Sequence, residues 1–572
     1  MKSFYRFAFF GILLLASCAK QGYPPGGPVD RTGHVVLEVY PTPGSVNVPH
    51  NVKPSLKLSE WIQRNSVENS IFISPEPIDG YRVKVGDKKA TIIFNSPLQE
   101  NRTIVITFGA GISDVNGNQM PASFVLAFAT GEQMDSSRVT GYIRNMDTPA
   151  STWIWAYPES EFTNPDPRID RAPFATQPDV SGFFELGFLP RDNYRIFGVV
   201  EARRNRLWDV AREAIAFPPE DVQASAVAPP VVSLRMETVD LEPPELRGGE
   251  GLHRQGMRLS FTEPVRSDLM EISGQDSLGN RLSIIDITQN PADSNAILLT
   301  TGIQREGNVY QLQLNNVQDY AGNRVDSLTI EVTAIPVSDT LGPHLTWTHP
   351  AAGAVDVSPE TMVKIGFSEP VTMTTLNEAI QVLEGDSIVA DGIWLAAGST
   401  IARFKSIESF KGNQTYILNI NNALIKDIFG NPSPDSLQQI SFSTFNADAA
   451  GSLSGQVVDP IPDLKIVAER MSAPAIVKEA LVEPDGDYAF EQLLAGYYRL
   501  WLYQDSDSDG KLSTGGIDPL RFAESFSISL DSVRVRSRWE TEDVQIYWPY
   551  PPDWERRVLQ KSEGSPETLI NN

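Results

Sequence analysis

Apolar side chains recur at every second position in three short stretches of the chain: Ile104 to Phe108, Tyr310 to Leu314 and Tyr416 to Ile420. Period two is the mark of a strand with one face in a core. Each stretch runs into the same turn, Asp114-Val115-Asn116-Gly117-Asn118, Asp319-Tyr320-Ala321-Gly322-Asn323 and Asp427-Ile428-Phe429-Gly430-Asn431. A second strand follows each turn, at Phe124 to Phe128, Leu328 to Val332 and Ile440 to Thr444. In such a turn the Asp side chain caps backbone amides and Gly accepts positive φ. Strands joined this way form one edge of a β-sandwich. The only helix the pattern suggests is a short one in the tail, ending near Lys561.

The repeat extends upstream of these strands. The first copy opens Tyr40-Pro41-Thr42-Pro43-Gly44-Ser45-Val46-Asn47-Val48 and continues Leu56-Lys57-Leu58-Ser59-Glu60. The third opens His349-Pro350-Ala351-Ala352-Gly353-Ala354-Val355-Asp356-Val357 and continues Phe367-Ser368-Glu369-Pro370-Val371. The middle copy lacks the opening but keeps Phe261-Thr262-Glu263-Pro264-Val265. These residues resemble the bacterial Ig-like domain of the S-layer-protein (SbsA) type. The first copy departs from that pattern at Trp61, where Pro is usual.

Two other segments share a second pattern. Val139-Thr140-Gly141-Tyr142-Ile143, Gly182-Phe183-Phe184-Glu185-Leu186 and Tyr194-Arg195-Ile196-Phe197 match Leu453 to Val457, Gly486 to Phe490 and Tyr498-Arg499-Leu500. They resemble the carboxypeptidase-regulatory-like, or prealbumin-like, β-sandwich. That resemblance implies a spacer or binding module.

The expected fold class is therefore all-β, a tandem array of Ig-like and prealbumin-like sandwiches. The expected order is a signal segment (1–17), a linker (18–34), Ig-like domain 1 (35–132), prealbumin-like sandwich 1 (137–235), Ig-like domain 2 (240–335), Ig-like domain 3 (341–446), prealbumin-like sandwich 2 (450–548) and a C-terminal tail (549–572). The junctions are polar or contain Pro. Neighbours in such an array are expected to share little surface and to hinge at the linkers.

Composition changes this picture at the N-terminus. Lys2 and Arg6 precede an apolar run from Phe7 to Leu15, too short to span a bilayer, which takes about 20 residues. Leu15-Ala16-Ser17-Cys18 follows and resembles the bacterial lipobox. The resemblance implies cleavage before Cys18, a diacylglyceryl thioether and an acyl group such as palmitate on that residue. Cys18 is the only cysteine of 572 residues, which excludes disulfides, Cys-based metal sites and Cys–His catalysis elsewhere. An ordinary cleaved signal with a chance cysteine is the plainer reading.

The formal charge of −25 becomes −27 once Lys2 and Arg6 are removed. An excess of acid disfavours nucleic acid, whose binding rests on Lys and Arg at phosphates. It also disfavours anionic lipid beyond an anchor.

Candidate chemistry is sparse. Glu60, Glu263 and Glu369 occupy one repeat position. A residue recurring in three domains serves the fold or a shared contact better than catalysis; with Asp114, Asp319 and Asp427 it offers hard oxygen donors for Ca²⁺ between domains. Asp505-Ser506-Asp507-Ser508-Asp509-Gly510 starts like a Ca²⁺ loop, with carboxylates at alternate positions and a turn-making Gly. Its twelfth position is Gly516, so a complete EF-hand is excluded, and Asp518 or Glu524 would have to close the shell. A solvated acidic loop without metal is the competing reading. Trp153, Trp155 and Tyr157 share one strand face and serve either core packing or sugar stacking. The five His residues show no zinc-binding spacing, and no Gly-x-Ser-x-Gly elbow or phosphate loop is evident.

The resulting expectation is a non-enzymatic, lipid-anchored cell-envelope protein, similar in layout to lipoproteins of Bacteroidetes-like bacteria. It would act as spacer, scaffold or protein-interaction module, without a cofactor apart from structural Ca²⁺. The alternative is a glycan- or peptidoglycan-binding lipoprotein using Trp153 and Trp155. Its partners would be the membrane, through the anchor, and an envelope protein or glycan; nucleic acid is not expected. By the sorting rule known for enterobacterial lipoproteins, Ala19 rather than Asp after the cysteine disfavours inner-membrane retention, and Lys20-Gln21-Gly22 lacks the acidic run that resembles a surface-export signal in Bacteroidetes. A periplasm-facing position is thus preferred, with the cell surface left open.

Overall fold

The computed structural model describes residues 30–549 except 147, 202–204, 385–386, 389–391, 447–449 and 473–475. Cys18, the signal segment and the suggested tail helix lie outside the described residues. The chain divides into two compact units, residues 1–206 with 221–232, and residues 207–220 with 233–572. Strands dominate both, and no helix among the described residues is long and apolar enough to cross a membrane.

In the first unit, β1 (Val36–Tyr40), β2 (Ser55–Leu58), β5 (Lys89–Phe94) and β4 (Tyr81–Val85) form one sheet in the order β1-β2-β5-β4. The facing sheet is β3 (Ile71–Ser74), β6 (Thr103–Phe108) and β7 (Phe124–Ala129). Period two decides what lies between them. Leu56, Leu58 and Ile92 point in from one sheet; Ile71, Ile73, Ile104, Ile106, Phe108, Leu126 and Phe128 point in from the other. The opening motif is a turn beside this core. Gly44 and Asn47 have φ of 79° and 52°, and their counterparts Gly353 and Asp356 have 75° and 55°. Gly, Asn and Asp are the residues that tolerate this left-handed region.

The following sandwich supplies β8 (Ser137–Arg144), β9 (Thr152–Pro158), β10 (Phe174–Thr176), β11 (Phe183–Leu189) and β12 (Asn193–Val200). β9 lies between β10 and β12, and β11 pairs with β8, all antiparallel.

These two domains share more surface than such an array is expected to. Every residue of β6 is buried, although only Ile104, Ile106 and Phe108 face the Ig-like core. The opposite face, with Phe72, Ser74, Val105 and Thr107, is covered by the sandwich. Phe72 packs on Trp153 with ring centroids 5.7 Å apart, and the Arg206 guanidinium lies 4.4 Å above the Phe72 ring. The Ser74 hydroxyl donates to the Pro173 carbonyl. Gln177 bridges both domains: its Oε1 accepts from the Ala110 N–H at 2.8 Å, and its Nε2 donates to the Ala150 carbonyl at 3.1 Å. A strand buried on both faces needs an apolar outer face as well, which Phe72 and Val105 supply.

The second unit repeats the Ig-like architecture twice. Residues 246–253, 256–261, 296–301 and 284–289 form one sheet, and 281–282, 271–276, 309–318 and 324–333 the other. The next domain pairs 345–349, 363–367, 401–406 and 392–396 against 354–357, 438–444, 415–420, 380–384 and 387–388. Each encloses its own core, built on Leu259, Phe261, Leu312 and Leu314 and on Ile365, Phe367, Tyr416 and Leu418. The last sandwich sets 487–493, 451–458 and 540–547 against 477–481, 464–470, 496–504 and 526–535.

Candidate cation sites at the domain heads

The Asp-x-x-Gly-Asn turn builds the same structure three times. Asp114 Oδ1 accepts the N–H groups of Asn116 and Asn118 at 2.7 and 2.8 Å. Asp319 accepts Gly322 and Asn323 at 2.6 and 2.8 Å, and Asp427 accepts Phe429 and Asn431 at 2.8 and 2.7 Å. Gly117, Gly322 and Gly430 turn the chain at φ of 90°, 102° and 95°. The closing Asn then folds back. Its Nδ2 donates to the other carboxylate oxygen at 2.8, 2.8 and 2.7 Å in Asn118, Asn323 and Asn431. Each Asp is only 1% exposed, so these bonds are what keep a carboxylate in place there.

The same Asn amide reaches outside its own turn. Asn118 Nδ2 donates to the Asp30 carbonyl at 3.3 Å, Asn323 to Asp240 at 3.0 Å and Asn431 to Asp339 at 3.4 Å. These aspartates lie where the chain enters each domain. Each makes an Asx turn, accepting the N–H of Thr32, Glu242 or Leu341 at 3.0, 3.1 and 3.1 Å. The hydroxyl before the repeat glutamate fixes the same approach. Ser59, Thr262 and Ser368 accept the N–H of Val35, Glu245 and His344 at 3.0, 2.9 and 2.9 Å.

The result is three groups of three acids: Asp30, Glu60 and Asp114; Asp240, Glu263 and Asp319; Asp339, Glu369 and Asp427. In each, one carboxylate oxygen per residue lies within 4.8 Å of the others. Three negative charges this close are unfavourable, and the electrostatics show it. Burial, then Asp240 and Asp319, pushes Glu263 up to about 7. Burial, then Asp339 and Asp427, pushes Glu369 up to about 8. Burial opposes the Asp114 charge too, but hydrogen bonds from Asn118, Asn116 and Gly117 outweigh it and hold its carboxyl below the usual value. A proton or a hard cation relieves this crowding, and oxygen donors at this spacing suit Ca²⁺.

The third group also faces its neighbour. His253 Nε2 of the preceding domain lies 3.6 Å from Asp339 Oδ2. The Gln255 N–H donates to His253 Nδ1 at 3.3 Å, which leaves the ring hydrogen on Nε2, toward Asp339. Burial holds His253 below its ordinary pKa, against Asp339 and Asp427.

The glutamates and turn aspartates were legible in the repeat; Asp30, Asp240 and Asp339 were not. They lie at the junctions, Asp30 and Asp339 between the expected domains and Asp240 on the first residue of one. A signal was present: each stands six residues ahead of the first strand, at Val36, Leu246 and Leu345.

In the last sandwich, carboxylate oxygens of Asp505, Asp507 and Asp509 also come within 4.8 Å of one another. Asp518 joins no such group among the described residues. Glu524 instead ties the loop together, accepting from the Ser506 N–H at 2.6 Å and the Ser513 N–H at 2.9 Å. Asp505 has a counter-charge of its own, Lys465 Nζ at 2.6 Å from Oδ2. That hydrogen bond holds the Asp505 carboxyl below its usual range and raises the Lys465 amine.

The tryptophan face is not an open platform. Trp153, Trp155 and Tyr157 are 7%, 0% and 1% exposed. Phe72 covers Trp153, while Phe162 packs edge-on to Tyr157 and the Tyr157 hydroxyl donates to the Asp170 carbonyl at 2.9 Å. Stacking a sugar needs a free ring face, which neighbouring residues occupy.

Residues 30–130 and 339–444 match the family model of the bacterial Ig-like domain. The middle copy rests on the shared geometry: its turn, its head aspartate and its glutamate superimpose in role on those of the two matched segments. No protein among the curated sequences matches the chain. Among solved structures, the S-layer protein rSbsC(31-844) is 10% identical, with 88% of this chain and 66% of that one covered and a TM-score of 0.16. The chain spans 44% of the N-terminal part of the bacterial S-layer protein SbsC, at 12% identity over 35% of its own length and a TM-score of 0.16. An L,D-transpeptidase from Mycobacterium smegmatis is 12% identical over 38% of this chain and 94% of its own, with a TM-score of 0.17. Scores this low carry no argument about function.

Proposed function

We propose that this chain is a non-enzymatic, lipid-anchored scaffold of the bacterial cell envelope, held to the outer membrane through Cys18. The observation that supports the scaffold role most is the threefold recurrence of the head cluster, Asp339 with Glu369 and Asp427 and their counterparts; the anchor rests on the Leu15-Ala16-Ser17-Cys18 resemblance. A reaction centre is built once, where its substrate binds. A cluster rebuilt at the head of each Ig-like domain, on the same hydrogen bonds, serves architecture. Structural Ca²⁺ is the cofactor this reading takes, at the head clusters or in the Asp505 loop. The glycan-binding alternative rested on Trp153 and Trp155, and their burial removes its main support. Protease shaving of intact cells, with fractionation of wild type and Cys18→Ser, tests the reading. Membrane association lost in the variant supports it; a protein that stays membrane-bound without Cys18, or a hydrolase activity found in a substrate screen, overturns it.

A further inference from the structure

A cleft of about 260 Å³ opens within the first unit, between the Ig-like domain and the sandwich packed on it. Its apolar wall is formed by Pro75, Pro97, Pro173, Phe174 and Phe188. Phe188 holds φ at 60° at the register shift between Leu186 and Leu189, as its counterpart Gln492 does at 53° in the last sandwich, which turns this part of the strand toward the cleft edge. Pro77 and Pro190 complete the proline lining. Proline has no N–H, and the Pro77, Pro173 and Pro190 carbonyls already accept from Gly80, Ser74 and Tyr194, so this wall offers mainly apolar ring surface. Three carboxylates lie along the cleft, Glu76, Asp135 and Glu161, against one cation, Arg102. Arg102 Nε is engaged by Gln99 Oε1 at 3.3 Å, and Glu76 lies 3.6 Å from Arg206. Asp135 and Glu161 remain beside Arg102, whose charge the neutral Gln99 amide does not cancel, so the cleft keeps a net negative charge. Both walls are fixed by the Phe72–Trp153 packing and the Gln177 bridge, so the cleft is formed before any ligand arrives.

We propose that this cleft binds an extended, proline-containing peptide segment of a partner protein, with an arginine or lysine side chain seated between Asp135 and Glu161. The chemistry selects this occupant. A lining with more acids than cations calls for a cationic side chain. The Phe174 and Phe188 rings supply the aromatic surface on which preformed polyproline segments dock, with little entropy lost on binding. The volume lies just below the ~300–1,000 Å³ of small-molecule sites, which suits one long side chain with its flanking residues. The cleft would bind this segment whether or not the chain is lipid-anchored.

Isothermal titration of the full chain with an acetylated hexapeptide of three Pro-Arg repeats tests the proposal. The control peptide carries glutamate in place of arginine. Saturable one-to-one binding is expected, weakened about tenfold by Asp135→Lys with Glu161→Lys. Neither acid side chain supports the fold, so thermal melting of that double variant is expected to match wild type. No saturable heat up to about 1 mM peptide, equal binding of the control, or equal binding by the double variant would overturn the proposal. Binding of a soluble peptidoglycan fragment in place of the peptide would also overturn it and assign the cleft to glycan.

Discussion

Phe72 of the first Ig-like domain and Trp153 of the neighbouring sandwich meet with ring centroids 5.7 Å apart and planes tilted by 35°. Both are nearly inaccessible, at 3% and 7% exposure. Their contact turns two domains into one body. Phe72→Ala is expected to cost about 3–5 kcal/mol, and the pair to show a coupling of about 0.5–1.5 kcal/mol in a double-mutant cycle with Trp153→Ala. Denaturant unfolding measures both. Additive single variants would contradict the coupling of these two rings.

The closing asparagine of each turn holds both its own aspartate and the incoming chain. Asn431→Ala removes the bonds to Asp427 and to the Asp339 carbonyl, and is expected to lower stability by about 1–3 kcal/mol. Asn118→Ala and Asn323→Ala are expected to act alike, because their bonds are the same. Hydrogen exchange read by mass spectrometry should show residues 339–344 gaining solvent access in Asn431→Ala. An unchanged exchange pattern there would count against the pinning role.

This double duty explains what was legible in the sequence. Strands announced themselves through period two, because one face of Tyr310 to Leu314 or Tyr416 to Ile420 meets a core and the other meets water. Thr103–Phe108 follows the same rule inside, but its outer face meets a second domain, and no local pattern records a neighbour. Trp153 and Trp155 were ambiguous for that reason. The turn acids and the repeat glutamates were visible as repeats. Asp30, Asp240 and Asp339 were not, because a lone Asp among Gly and Pro reads as part of a junction until its fixed distance to the next strand is noticed.

Crowding at the head clusters has a pH signature. Glu369 titrates at about 8 in the folded chain, above its value of 4.5 when unfolded. The folded state therefore binds the proton more tightly. Its contribution to stability is fully present below pH 4.5 and is lost as pH rises through about 8. Glu369→Gln should flatten the decline between these limits and melt higher than wild type at the alkaline end. Melting curves across that range check it; a variant with the wild-type slope would contradict the assignment.

Lys465 and the Asp505 loop offer a separate test for Ca²⁺. Lys465→Met leaves Asp505, 5% exposed, without its cation and is expected to destabilise the last sandwich. If Asp505, Asp507 and Asp509 take Ca²⁺, millimolar Ca²⁺ should restore the lost melting temperature and Mg²⁺ should do so less well. A Ca²⁺-independent defect would leave the loop as a solvated hairpin held by Lys465 and Glu524.

The most direct measurement of the account is the fate of the full chain with and without Cys18. Expressed in a Gram-negative host, wild type is expected in the outer-membrane fraction and to take up radiolabelled palmitate. Cys18→Ser is expected in the soluble fraction, unlabelled, with the melting profile of its five sandwiches unchanged. Palmitate labelling of the variant, or equal membrane association of both proteins, would contradict the lipid-anchored scaffold.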